Sequence, residues 1–348
     1  MSRTSFHKII TTSSDTILEF YVGTMATRSG RSDRGGSGRV LAKLKKCVED
    51  GNYYEAHQMY RTLYFRYLAQ KKHAEAIELV YTGASLLLQH NQHMSGADLS
   101  LLLVEALDTL QEPIAKCNID RIASLAKALP CESPERTKFI TLSLRWSQGD
   151  SRGKGSGDPE LHKQFANMLW QEKNFFEARY HFLRSMDGEG CALMLVEYHL
   201  NKGYSSEVDM FVAQAVLQYL CLRNKTTASL TLRVYTENHP AIKSGPPFIL
   251  PLLNFIWLLL LAVKTQKLAA FTVLCEKYQP SLQRDPCYAA YLDKIGQIFF
   301  GLPPPLPTGR QGLIGNLISS LFGGDGEDDD ESDVETSTSP LLHVADLD

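Results

Sequence analysis

The 348-residue sequence lacks any run of about 20 uninterrupted apolar residues, the length a membrane helix needs. Its nearest approach is FILPLLNFIWLLLLAV, residues 248–263. As a helix those residues would rise about 24 Å, short of the ~30 Å hydrocarbon core. Pro251 interrupts the start, and Lys243, Lys264 and Lys267 flank both ends. The run is therefore read as a helix apolar all round, covered by protein on every side. Pro246, Pro247 and Pro251 suit its lead-in and first turn, where a missing N–H costs little. A membrane protein is the least favoured of three function classes.

Other absences narrow the field further. No stretch alternates with period two, so no sheet is expected. Cysteines are not paired: Cys47, Cys117, Cys131, Cys191, Cys221, Cys275 and Cys287 are odd in number and widely spaced. That pattern suits free thiols in a reducing compartment. No secretory leader is expected, because Asp15 and Glu19 break the apolar residues Ile9, Ile10, Ile17, Leu18 and Phe20. A cytosolic protein is expected. Residues 325–348 contain ten acids and neither Lys nor Arg, against a whole-chain net charge of −3. A body of about +7 therefore carries an acidic tail.

Catalytic signatures also fail. Residues 149–154 fall one residue short of a phosphate-binding loop, carry Gly155 where Ser or Thr is required, and follow a helix. No HExxH or GxSxG occurs, and no spacing of Ser, Cys and His suggests a triad. His90 and His93 could present two metal ligands one turn apart, but they sit in the polar turn HNQHMSG without a third donor before Asp98. The expectation is no enzyme, no cofactor and no metal.

What is present is helical periodicity, from Arg39 onward. Helices are expected near 39–50, 53–70, 73–90, 97–110, 115–129, 134–147, 159–172, 175–186, 189–202, 206–223, 226–238, 248–263, 267–279 and 286–300. Ser133-Pro134, Asp158-Pro159 and Asp285-Pro286 each set an oxygen acceptor before a proline at the first helical position. Ser206 with Asp209 resembles a capping box. The string Asn52-Tyr53-Tyr54-Glu55-Ala56 recurs as Asn174-Phe175-Phe176-Glu177-Ala178, with Ala74-Glu75-Ala76 a weaker copy. The small alanine would let neighbouring helices approach, and the aromatic would fill the gap between pairs. The expected fold is all-α, a right-handed α-solenoid of tetratricopeptide-like antiparallel helix pairs, degenerate because the echoes are irregularly spaced.

The expected organisation is a disordered N-terminal extension over 1–38, a solenoid half over 39–148, a flexible loop at 149–157 and a second solenoid half over 158–302. A Pro-rich segment with a short amphipathic helix follows at 303–322, then an acidic disordered tail over 323–348. In that short helix Leu313, Ile314, Leu317, Ile318, Leu321 and Phe322 form a stripe able to fold back on the solenoid or dock elsewhere. Two starts are open, at Met1 or at Met25; Asp33 and the glycines weigh against a transit peptide. Ser332, followed by Asp333 and Glu335, is a candidate for an acidophilic kinase.

Lys43, Lys45, Lys46, Arg61, Arg66, Lys71 and Lys72 crowd the first helices. Three readings stay open: a solvated face, an acidic protein partner, or nucleic acid. His57 and Arg61, four apart, share one helical face.

The strings GNYYEAHQMYRTLYFRYLAQKKHAEAIELVYTGA, SSEVDMFVAQAVLQYLCLRNK, PPFILPLLNFIWLLLLAV and VLCEKYQPSLQRDPCY resemble the Golgi-to-ER traffic protein 4 family, the 35 kDa subunit of the transmembrane-domain recognition complex. The resemblance runs over about 39 to 322; residues 1–24 depart from the family's usual start. It implies a non-enzymatic cytosolic adaptor that helps deliver tail-anchored membrane proteins to the endoplasmic reticulum and serves quality control of mislocalised hydrophobic proteins. Its implied partners are a targeting ATPase on the N-terminal half, and a ubiquitin-like adaptor and a BAG-type holdase on the C-terminal half. The family's ATPase-facing His and Arg fall on His57 and Arg61, with Asp98 a further acidic candidate. The holdase-facing region maps to residues 210–286, with Met210, Phe211, Leu217, Leu220, Phe255 and Trp257 as candidates that compete with a core role. The alternative class is a generic solenoid scaffold of another assembly, nucleic-acid-associated if steep, salt-sensitive RNA binding is found.

Overall fold

The computed structural model describes residues 37–149, 155–243 and 245–303. They form fifteen α-helices and one 3-10 turn, with no strand among the described residues. The expected features at 1–36, 150–154 and 304–348, including most of the 149–157 loop, the amphipathic helix, the acidic tail and Ser332, lie outside them. The chain divides into two compact units with the boundary after Leu161.

Unit one contains α1 (Ser37–Glu49), α2 (Tyr53–Ala69), α3 (His73–Gln89), α4 (His93–Thr109), α5 (Lys116–Ala128) and α6 (Pro134–Ser147). Neighbours in sequence pack together except α4 and α5, and so do alternate helices: α2 with α4, α3 with α5, and α4 with α6. This is the stacking of antiparallel helix pairs. Its regularity comes from the turns. Gly51, Lys71, Asn91 and Gln111 all have positive φ, at twenty-residue intervals. At each, the next residue's N–H reaches back five positions, as from Lys72 to the Tyr67 carbonyl (2.9 Å) and from Gln92 to the Leu87 carbonyl (2.8 Å). These bonds satisfy carbonyls that a helix end leaves orphaned, in the Schellman pattern. A pair therefore occupies forty residues here, longer than the ~34 of a tetratricopeptide repeat.

The repeated motif behaves as its residue types dictate. Ala56, Ala76 and Ala178 are fully buried, so neighbouring helices close over them. Only the first aromatic of each echo fills a gap. Tyr53 stacks on His90 with centroids 5.0 Å apart, and Phe175 on Tyr198 at 4.9 Å. The second aromatics, Tyr54 and Phe176, are exposed.

Unit two takes most of α7 (Pro159–Gln171), then α8 (Phe175–Arg184), α9 (Gly188–Lys202), the 3-10 turn Ser205–Glu207 and α10 (Val208–Cys221). After these come α11 (Lys225–Asn238), α12 (Pro251–Thr265), α13 (Leu268–Lys277), α14 (Gln279–Leu282) and α15 (Cys287–Phe300). The expected caps form at Ser133 and Asp158, whose side-chain oxygens accept from the Arg136 and Glu160 amides. At Asp285 the expectation fails: α15 begins at Cys287 with Pro286 as its cap residue, although Asp285 still accepts the Cys287 N–H. The Ser206–Asp209 capping box does not. The Glu207 carboxylate accepts the Tyr204 N–H instead, and Asp209 turns inward to pair with Arg284 at 2.7 Å.

The most enclosed helix of unit two is α10, which packs against α8, α9, α11, α12 and α15. The apolar run 248–263 is not wrapped on all sides by its own chain. Pro251 at the first turn delays α12, and the Asn254 side chain brackets the lead-in by accepting the Phe248 N–H (2.7 Å) and donating to the Phe248 carbonyl (2.5 Å). Leu252, Leu253, Phe255, Ile256, Leu259, Ala262 and Val263 are buried, while Leu261 stays 43% exposed. At fifteen residues, α12 cannot span a bilayer, and no helix among the described residues is long and apolar enough to do so.

Candidate functional site

Four-residue spacing on α2 sets His57 and Arg61 on one face, and α4 lies against α2 as its alternate neighbour. Asp98, in the second turn of α4, meets both. His57 Nε2 lies 2.8 Å and Arg61 Nη1 2.5 Å from the same Asp98 oxygen, Oδ2. The Gln58 amide nitrogen lies 3.3 Å from His57 Nδ1. Donation from Gln58 to Nδ1 leaves Nε2 to carry the proton toward Asp98. Burial pushes the Asp98 carboxyl up, but hydrogen bonds and charge from Arg61 and His57 outweigh it, so it is held below the usual carboxylate range.

The three residues named from sequence thus form one cluster, half buried and half presented. The His57 ring is largely covered, whereas the side chains of Arg61 and Asp98 are 37% and 41% exposed. Asp98 braces one guanidinium nitrogen and leaves the rest of the fork to face outward, the geometry that suits a carboxylate. Three of the six surrounding cations are engaged within the chain. Lys43 pairs with Glu55 at 2.7 Å, Lys45 with Glu49 at 3.8 Å, and Lys72 lies over the Tyr67 ring. Lys46, Arg66 and Lys71 are exposed. His90 bonds the Tyr53 hydroxyl through Nδ1 at 3.0 Å, and no group of three or more potential metal ligands exists among the described residues.

The candidates of unit two separate by burial. Leu217, Leu220 and Phe255 are fully buried. Met210, Phe211 and Trp257 are partly exposed, and Trp257 lines a concavity between α11 and α12. Leu260, Leu261 and Arg233, which line the same hollow, went unnamed from the sequence, and Lys264 was read only as a flanking charge. Their signal was there: Trp257, Leu260, Leu261 and Lys264 recur at three- and four-residue steps and end in a charge, the mark of a helix face that reaches solvent.

A sequence model of the Golgi to ER traffic protein 4 family matches residues 70–322. The chain belongs to that family. Golgi to ER traffic protein 4 homolog B of Xenopus laevis is 56% identical over 315 residues, which cover 90% of this chain and 96% of that protein. The Homo sapiens homolog is 55% identical over 306 residues, covering 88% and 93% respectively. A crystal structure of C. therm. Get4 shares the fold with a TM-score of 0.71 at 27% identity, covering 85% of this chain and 99% of that one. As a Golgi to ER traffic protein 4 family member, the chain takes part in tail-anchored protein targeting, and its all-α helix-pair architecture is the family's own.

Proposed function

We propose that this chain is a non-enzymatic cytosolic adaptor. It joins a holdase complex that keeps tail-anchored proteins soluble to the ATPase that delivers them to the endoplasmic reticulum, and it serves quality control of mislocalised hydrophobic proteins. Unit one faces the ATPase through His57, Arg61 and Asp98. Unit two faces the BAG-type holdase and the ubiquitin-like adaptor, with Met210, Phe211 and Trp257 as the accessible contacts and Leu217, Leu220 and Phe255 as their buried support. One observation carries the reading: residues from two helices meet at a single carboxylate oxygen and hold an arginine fork half in solvent. A surface arginine fixed in this way loses less freedom when it pairs with a partner's acid.

The test is capture of the targeting ATPase by the purified chain. Arg61→Glu should weaken capture about tenfold or more, since a like charge replaces a bidentate donor. Arg61→Lys should lose an intermediate amount, because an ammonium lacks the fork. Helical circular dichroism should not change in either. Capture by Arg61→Glu equal to the parent chain would remove this assignment.

A further inference from the structure

Between α11 and α12 lies a concavity of about 680 Å³, within the size range of built recognition sites. Its floor is apolar, made by Leu232, Phe248, Trp257, Leu260 and Leu261. Lys225, Arg233 and Lys264 line it as cations, with Glu237 the acid among them. Arg233 and Lys264 have no ion-pair partner among the described residues. Among the described residues, unit two thus leaves this face of α12 open beside an excess of positive over negative charge.

The chain carries a segment of matching chemistry. The Phe299 ring, one residue from the end of α15, lies 5.1 Å from Lys225 Nζ, so the described chain runs out beside the hollow. Leu313 follows Pro303 by ten steps of chain, enough to reach up to about 35 Å. Leu313, Ile314, Leu317, Ile318, Leu321 and Phe322 then recur at helical spacing, and residues 325–331 follow with six acids. An apolar stripe followed by an acidic run complements an apolar floor beside a basic rim. The family match also extends to 322, so the stripe belongs to the matched region rather than to the tail beyond it.

We propose that residues 312–322 dock by their apolar stripe onto the α11–α12 floor of their own chain, with the acidic run 325–331 set against Lys225, Arg233 and Lys264. The docked segment covers Trp257.

The experiment places a benzoylphenylalanine at Leu261 of the full chain, irradiates it and maps the crosslink by mass spectrometry. The expected product is an intramolecular link to the peptide containing 312–322, with a yield that does not change on dilution. Leu317→Asp with Leu321→Asp should lower that yield about tenfold, by placing charge on an apolar floor. Arg233→Glu with Lys264→Glu should lower it about two- to fivefold, as exposed ion pairs allow. Without the probe, amides of 313–322 should exchange about tenfold more slowly in the parent chain than in the double-aspartate variant. Links to a second copy, links to another part of the chain, or yields and exchange unmoved by both variants would overturn the proposal.

Discussion

Gln111 holds a φ of 52° at the end of α4, a conformation in which an L side chain crowds its own backbone. Asn91 and Lys71 do the same one and two stops earlier in the series, and Lys173, Arg223 and Gln266 do so in unit two. Among the four regular stops of unit one, Gly51 and Asn91 are residues chemistry favours there, while Lys71 and Gln111 are not. Gln111→Gly should therefore stabilise the protein by about 0.5–1 kcal/mol, the relief of strain outweighing the greater freedom of the unfolded glycine. Equilibrium urea unfolding checks it, and a lowered midpoint would refute the strain argument. The same residues explain what the sequence concealed. Left-handed stops are normally announced by glycine or asparagine, and lysine, glutamine and arginine announce nothing, so the twenty-residue rhythm was invisible although the helices were not.

At the level of the helix, close approach is set by small residues, and α2 against α3 shows how tightly. A Cβ added at Gly83 of α3 would come within 2.7 Å of the Tyr60 ring of α2, a buried side chain with little room to move. Gly83→Ala should gain helix propensity and still destabilise by about 1–3 kcal/mol, because overpacking a filled core exceeds the roughly 1 kcal/mol that alanine favours in a helix. Thermal unfolding of the variant tests the sign; a raised Tm would mean that α2 slides away freely. Helix positions were legible to within a few residues because apolar periodicity is strong. The apolar character of 248–263 was legible too, but not which part of it stays uncovered. That depends on α11 and on the lead-in at Phe248, neither of which a local pattern contains. His57 and Arg61 could be paired by spacing alone, whereas Asp98 reaches them only because α4 packs on α2.

Across a whole folded unit, buried histidines make stability depend on acidity. His162 and His181 meet through their Nδ1 atoms at 2.9 Å, and His239 Nε2 meets His199 Nδ1 at the same distance. Burial first, then the facing His162 and Arg184, bring His181 down to about 3. Burial and His199 lower His239 as well. An unfolded histidine takes its proton near pH 6.5. Between that value and about 3, the unfolded chain binds more protons than the folded one, so stability must fall as pH drops. The slope reaches at most about 1.4 kcal/mol per pH unit for each such group. The urea midpoint should be lower at pH 5 than at pH 7, and His181→Gln should flatten the difference. A midpoint that rises on acidification would contradict this.

The recurrent stop in unit one also limits how such a chain can change length. Each stride of helix and turn reverses the direction of travel, so losing or duplicating a single stride would send every later helix backwards through its layer and present its outer side to the interior. Two strides together restore the heading. Length variation among chains built on this plan should therefore come in steps of forty residues within the stack, with smaller insertions confined to places such as the link after α6, where no stride is being counted.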